Sequence, residues 1–166
     1  MWGLFGGALN PPHIGHLLAV VYAQAMYDVD LVTIIPTLHH PWKPDVLTSL
    51  SHRSVMTRML FAHLRDVGID DTIETEIAEA KPDNEPVYTI DVIERYLRDS
   101  GNFRLIVGQD EAEGMPCWHR YDDLIRLVGQ PLVVPRGCIN GVSAASSTHV
   151  RELLRDGKIE EAAEFV

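Results

Sequence analysis

The sequence predicts an α/β fold: a Rossmann-like, doubly wound, five-stranded parallel sheet with helices on both faces. Three observations predict it. Short apolar runs alternate with amphipathic stretches from one end of the chain to the other. The runs are of strand length and the stretches between them of helix length. Residues suited to chemistry follow nearly every run, which is where open parallel sheets bind their ligands.

The candidate strands are Trp2–Gly6, Asp30–Pro36, Ile73–Ala78, Phe103–Gly108 and Pro131–Pro135. Helical patterns lie between them at His16–Tyr27, Ser51–Val67, Thr89–Ser100 and Trp118–Val128, with another at Ser147–Asp156. In Thr89–Ser100 the residues Ile90, Ile93, Tyr96 and Leu97 share one face, with Glu94, Arg95 and Arg98 elsewhere. No repeat, low-complexity tract or linker interrupts the series, so residues 1–166 are expected to form a single domain.

Composition narrows the function. A chain of 166 residues with 46% hydrophobic and 23% charged residues is ordinary for a soluble globular protein. No apolar run approaches the roughly 20 residues that span a bilayer, and Met1–Phe5 lacks the basic flank of a signal peptide. Cys117 and Cys138 are too few for a disulfide framework or zinc cage, so a cytoplasmic home is expected. The net charge of −10 argues against nucleic acid or anionic membrane as a partner, since such binding rests on Lys and Arg neutralising phosphates. It leaves room for one small anionic ligand held by a few cations and backbone N–H groups.

The first loop reads Gly6-Gly7-Ala8-Leu9-Asn10-Pro11-Pro12-His13-Ile14-Gly15-His16. Adjacent glycines after a strand are expected to turn the chain sharply and admit a ligand close to the backbone. The helix that follows is expected to offer free N–H groups and a positive dipole end to phosphate. His13 and His16 add donors there, as imidazolium or as neutral imidazole. A Gly-Pro turn with two incidental histidines would be unremarkable for either histidine alone. The combination with the strand and the helix argues against it. The glycine spacing fits neither GxGxxG nor a P-loop. His39 and His40 together with His13 and His16 do not read as a metal site, because adjacent histidines diverge and no carboxylate or cysteine completes the set.

At the other end of the chain, Ser146-Ser147-Thr148 precedes the helical run Val150–Arg155. Hydroxyls and free N–H groups gather there, and one hydroxyl is expected to cap the helix. Arg151 opposes the helix dipole by a few tenths of a kcal/mol to about 1 kcal/mol, a penalty that a bound anion would reverse.

The loop resembles the (T/H)xGH-bearing loop of the adenylyltransferase superfamily, and most closely that of bacterial nicotinate-mononucleotide adenylyltransferases. The similarity continues through His39-His40-Pro41-Trp42-Lys43, His52-Arg53-Ser54-Val55-Met56, Tyr88-Thr89-Ile90-Asp91 and Gly108-Gln109-Asp110. It goes on through Trp118-His119-Arg120-Tyr121, Val133-Val134-Pro135-Arg136 and Ser146–Arg151, and so covers almost the whole chain. The resemblance implies transfer of AMP from ATP to a mononucleotide, within NAD biosynthesis. It assigns catalysis to His13, His16, Lys43 and Arg151. ATP falls to Gly6, Gly7, Ala8, Leu9, His16, Gly108, Asp110, Ser146, Ser147, Thr148 and Arg151. The acceptor falls to Asn10, Lys43, Tyr88, Thr89, Trp118, His119 and Arg136, with Trp118 stacking on the pyridine ring. By position alone Lys43 reads as a surface lysine and Trp118 as a packing residue; the resemblance is what turns both towards substrate.

The acceptor would be a phosphate monoester, largely dianionic at neutral pH, so no general base is needed. Mg²⁺ is expected to arrive with ATP, with few or no protein ligands. A homodimer is one expected assembly. Three features depart from the family pattern: Ala8-Leu9 in place of a Thr/Ser-Phe pair, Gln109 in place of a small residue, and the short connection Gly137–Ala145. Other readings are adenylyl transfer to nicotinamide mononucleotide or phosphopantetheine, or a nucleotide-binding module without catalysis. A class I aminoacyl-tRNA synthetase shares the Pro12–His16 signature but carries a KMSKS loop, which this chain lacks.

Overall fold

Ladder hydrogen bonds join strands β1 (Trp2–Gly7), β2 (Leu31–Pro36), β3 (Ile73–Thr75), β4 (Phe103–Gly108) and β5 (Leu132–Val134) into one sheet. In this computed structural model, which describes residues 1–37, 48–66, 73–75, 86–97, 103–136 and 145–166, the strand order is β3-β2-β1-β4-β5. Every neighbouring pair is parallel, with Trp2 opposite Leu31 on one side of β1 and opposite Phe103 on the other. The connections are α1 (Ile14–Tyr27), α2 (Leu50–Asp66), α3 (Thr89–Leu97), α4 (Gln109–Gly114) and α5 (Tyr121–Val128). Helices α6 (Ser147–Arg155) and α7 (Ile159–Ala163) follow the sheet.

Alternation along each strand divides the core into two layers. Phe5, Val32, Ile34, Ile106, Leu132 and Val134 pack with Ala19, Val20 and Ala23 of α1 and Leu60, Phe61 and Leu64 of α2. Leu4, Ile35, Leu105 and Val107 pack on the opposite face with Ile90 and Ile93 of α3 and Leu124 and Val128 of α5. The α/β class with helices on both faces of a parallel sheet follows from this division. The winding reverses between β1 and β4, which places the ligand crevice beyond Gly7 and Gly108. A third, smaller core of Val150, Leu153, Ala162 and Phe165 joins α6 to α7.

Two local expectations are corrected. Gly6 and Gly7 do not make the first turn. They are extended members of β1, paired with Ile35 and Pro36, and the left-handed turn falls on Leu9 (φ 46°). That conformation costs about 1–3 kcal/mol in a non-glycine residue. Burial of the Leu9 side chain, only 1% exposed in the α1–α2 layer, contributes a stabilisation of roughly the same size. Trp118 does not begin a helix either. Gln109 starts α4 directly after β4, a 3₁₀ turn spans Met115–Cys117, and Trp118 ends that turn in extended conformation. Arg120 then takes a left-handed conformation (φ 53°) and α5 begins at Tyr121.

Candidate functional site

The loop between β1 and α1 is built around two histidines that cap one helix together. His13 is the N-cap of α1, and its Nδ1 accepts the N–H of Gly15 at 3.1 Å. His16 returns the arrangement: its Nδ1 accepts the N–H of His13 at 3.0 Å. The two rings lie 3.7 Å apart between centroids. A ring nitrogen that accepts a backbone N–H carries no proton of its own. Both neutral imidazoles therefore hold their proton on Nε2, and among the described residues neither Nε2–H has a partner. Burial lowers His13 from its usual 6.5 to about 4. Burial and then the neighbouring His13 lower His16 to about 3, against a raising hydrogen bond from His13. Of the two forms the sequence left open, neutral imidazole is the one this geometry holds.

Gly15 permits this arrangement. A Cβ on Gly15 would lie 2.9 Å from both Cε1 and Nδ1 of His13, so the capping ring would have to move. Gly6 and Gly108 differ: among the described residues a Cβ on Gly6 would meet only the Ile35 carbonyl at 3.9 Å, and one on Gly108 would meet nothing within 4 Å. Packing among the described residues does not require their smallness. They leave space at the carboxyl ends of β1 and β4, where a ligand would approach the backbone.

The expected free N–H groups are not on α1. Ile14 N–H is bonded to the Phe165 carbonyl at 2.7 Å, Gly15 N–H to His13 Nδ1, and His16 N–H to the His13 carbonyl at 2.8 Å. They are on α6. Ser146 caps that helix by accepting His149 N–H at 3.1 Å, and the N–H groups of Ser147 and Thr148 have no acceptor among the described residues. The α6 N-terminus is joined to the first loop: Ser147 Oγ donates to the Pro11 carbonyl at 2.8 Å and Arg151 donates to the Asn10 carbonyl. Arg151 also reaches Thr148 Oγ1 at 3.2 Å, while its buried Nε–H has no partner among the described residues. Because α6 starts at Ser147, Arg151 lies past the first turn, where the dipole penalty expected for it is small.

On the other side of Gly6, a recess with apolar walls is lined by Gly6, Ile35, Thr37, Thr89, Val92 and Leu105. The Tyr88 ring stacks on His119 with centroids 4.2 Å apart. Trp118 is half-buried and packs against the α3–α5 layer beside them. Asp110 and Arg136, expected to serve different substrates, form an exposed ion pair with each other across β4 and β5. Arg136 N–H also meets Gln109 Oε1 at 3.2 Å. Hydrogen bonds from Ser147 to Pro11 and from Arg151 to Asn10 thus bring Ser146, Ser147, Thr148 and Arg151 to the loop that carries Ala8, Leu9, Asn10, His13 and His16 after the glycine strand. Tyr88, Thr89, Trp118 and His119 form a second group on the α3–α5 side. Lys43, with His39 and His40, lies outside the described residues. Sequence reasoning missed Arg53, Thr37 and Phe165. Only Arg53 stood within a quoted motif, and nothing in its spacing marked it as buried.

A family model described as cytidylyltransferase-like matches residues 4–153. The chain belongs to the cytidylyltransferase-like family. A probable nicotinate-nucleotide adenylyltransferase from Gemmatimonas aurantiaca is 31% identical to this nucleotidyltransferase over 94% of its chain and 82% of the relative's. One from Albidiferax ferrireducens is 31% identical over 86% and 69%. The enzyme also superposes on the Plasmodium falciparum nicotinic acid mononucleotide adenylyltransferase complexed with NaAD, with a TM-score of 0.73 and 12% identity. That match covers 99% of the nucleotidyltransferase and 89% of the other chain, and it shows the shared fold. Among the described residues, no helix of the nucleotidyltransferase is long and apolar enough to cross a membrane.

Proposed function

We propose that this enzyme transfers AMP from ATP, taken as its magnesium complex, to nicotinate mononucleotide, forming deamido-NAD and pyrophosphate. The reciprocal histidine cap carries the proposal. It orients two neutral Nε2–H donors from one helix start, beside the glycine strand at the point where the winding reverses. A phosphate oxygen of the acceptor attacks the α-phosphorus of ATP, a new P–O bond forms, and the bond to the departing pyrophosphate oxygen breaks. The attacking oxygen is already anionic, so no side chain has to remove a proton. The work is alignment and relief of repulsion between anions. His13 and His16 donate to the α-phosphate oxygens as charge grows there. The free N–H groups of Ser147 and Thr148, with Arg151, hold the outgoing phosphates, and Lys43 adds a further cation.

The names of the relatives support nicotinate mononucleotide as acceptor, and the recess at Thr37 and Thr89 is of the right character for a flat ring with a polar edge. Tyr88, stacked on His119 and next to the lining residue Thr89, and Trp118, packed on the same layer, are the aromatic groups proposed to meet that ring. A pyrophosphate-release assay with ATP and nicotinate mononucleotide, nicotinamide mononucleotide or phosphopantetheine tests both parts. Release with nicotinate mononucleotide at the highest kcat/KM is expected. Release with another acceptor alone corrects the substrate, and ATP binding without release for any acceptor sinks the catalytic reading. Trp118→Ala should mainly raise the acceptor's KM; a change confined to ATP would remove Trp118 from the acceptor site.

A further inference from the structure

Arg53 is the least exposed ionisable side chain whose burial is described, at 1% exposure, and no step above uses it. It lies in the first turn of α2 behind the catalytic loop. Its Nε–H donates to the Thr48 carbonyl at 2.8 Å and its Nη1 to the Ala8 carbonyl at 2.7 Å. Thr48 in turn donates its own N–H to Asn10 Oδ1 at 3.2 Å. These bonds make a clasp around a single residue: Ala8 is held from one side of Leu9 and Asn10 from the other. Leu9 is the left-handed residue that turns the chain from the glycine strand towards the histidine cap.

A left-handed leucine persists only where its surroundings over-determine it. No carboxylate pairs with Arg53 among the described residues, and burial lowers its pKa. Among the described residues the guanidinium meets only backbone carbonyls, and burying a charge held that way is costly, whereas an apolar side chain would fill the same space without that cost. The cost is explained if the fork of donors is what the site needs. A lysine places one point donor there, whereas a guanidinium holds two carbonyls at a fixed angle.

We propose that Arg53 is a positioning residue for catalysis, which fixes the Ala8–Asn10 turn and through it the distance between the glycine strand and the His13–His16 cap. The proposal rests on the adenylyl-transfer reading for its effect on rate, but its effect on loop geometry stands apart from that reading. In Arg53→Lys the charge remains and the fork is lost. Near-wild-type ATP affinity by calorimetry, with kcat lower by at least about tenfold, is expected, because small misplacements of a reacting group cost that much or more. Arg53→Met should lose ATP affinity as well. Wild-type kcat in Arg53→Lys, or a loss of melting temperature with kcat unchanged, overturns the proposal.

If the variants fail to fold, the intact protein still decides. The Arg53 Nε–H resonance should stay visible above neutral pH and shift when ATP with magnesium is added. A fast-exchanging resonance, or one that ATP leaves unmoved, refutes the assignment. Should the wild-type enzyme release no pyrophosphate with any acceptor, the functional reading fails by itself. The Leu9 and Asn10 amide shifts of Arg53→Lys then judge the clasp: displaced shifts uphold it and unchanged shifts reject it.

Discussion

Two helix N-termini, those of α1 and α6, meet at the first loop, and they use their backbone in opposite ways. At α1 the first three N–H groups are all taken, by the Phe165 carbonyl, by His13 Nδ1 and by the His13 carbonyl. At α6 the Ser146 hydroxyl takes one, and those of Ser147 and Thr148 remain unbonded among the described residues. Each cap side chain takes one helix N–H, so the difference comes from two backbone carbonyls, those of Phe165 and His13, which occupy the Ile14 and His16 donors at α1. The histidine cap uses the Gly15 N–H to orient an imidazole whose Nε2–H has no partner among the described residues. A serine cap is short and leaves the backbone itself exposed to an anion. The α1 end is therefore suited to act on charge that develops during reaction, and the α6 end to hold charge that is present throughout.

The sharpest way to separate the two ends is to remove a donor from each. His16→Ala should lower turnover by at least about a hundredfold with ATP affinity nearly intact, as for loss of a transition-state donor. Measured turnover equal to wild type would take His16 out of the reaction. At the α6 end, Ser147→Pro removes one backbone N–H at the first helical position, where proline is tolerated. Ser146 is already extended (φ −142°, ψ 147°), as a residue before proline must be. Compared with Ser147→Ala, which loses the same hydroxyl bond to Pro11, the proline variant should bind ATP roughly tenfold more weakly in calorimetry. Equal affinities in the two variants would show that this N–H holds no phosphate.

Gly15→Ala tests whether the cap itself matters. Its Cβ would displace the His13 ring, so about 1 kcal/mol of stability should be lost with the cap. Turnover should fall roughly tenfold, equivalent to about 1.4 kcal/mol in barrier. Crystals of the variant with His13 still bonded to residue 15 would contradict this account.

The smallest effect is on the pH dependence of stability. His13 and His16 bind protons near 6.5 when unfolded but near 4 and 3 when folded. Below pH 6.5 the unfolded chain takes up protons that the folded protein excludes, so stability rises with pH across that window and is lost as pH falls. His13→Asn keeps a capping side chain without a proton site. Its urea midpoint should change less than that of wild type between pH 7.5 and 5, by an amount on the order of one titrating group. Parallel curves would mean that His13 is not held neutral.

Much of this arrangement was legible before any coordinates. The alternation of apolar runs with amphipathic stretches reports which faces are covered, and that is a local property of β1, β2, β4 and their helices. The Gly6–His16 loop and Ser146–Arg151 were legible because each concentrates glycine, imidazole or hydroxyl groups within a few residues. Short contacts along the chain were less so. The turn was expected at Gly6-Gly7 because glycine accepts any conformation, yet the strand pairing holds both glycines extended and burial of its side chain makes Leu9 turn instead.

What the sequence by itself determined is the fold class, the glycine- and histidine-bearing first loop and the hydroxyl cap of α6, because each depends on residues that are neighbours in the chain. Only the tertiary structure decided which N–H groups stay free, that both histidines hold their protons on Nε2, and that Asp110 answers Arg136. It alone brought Phe165 to α1 and Arg53 beneath Ala8. Those outcomes depend on contacts between residues far apart in sequence, where burial and a single well-placed carbonyl decide what a donor does.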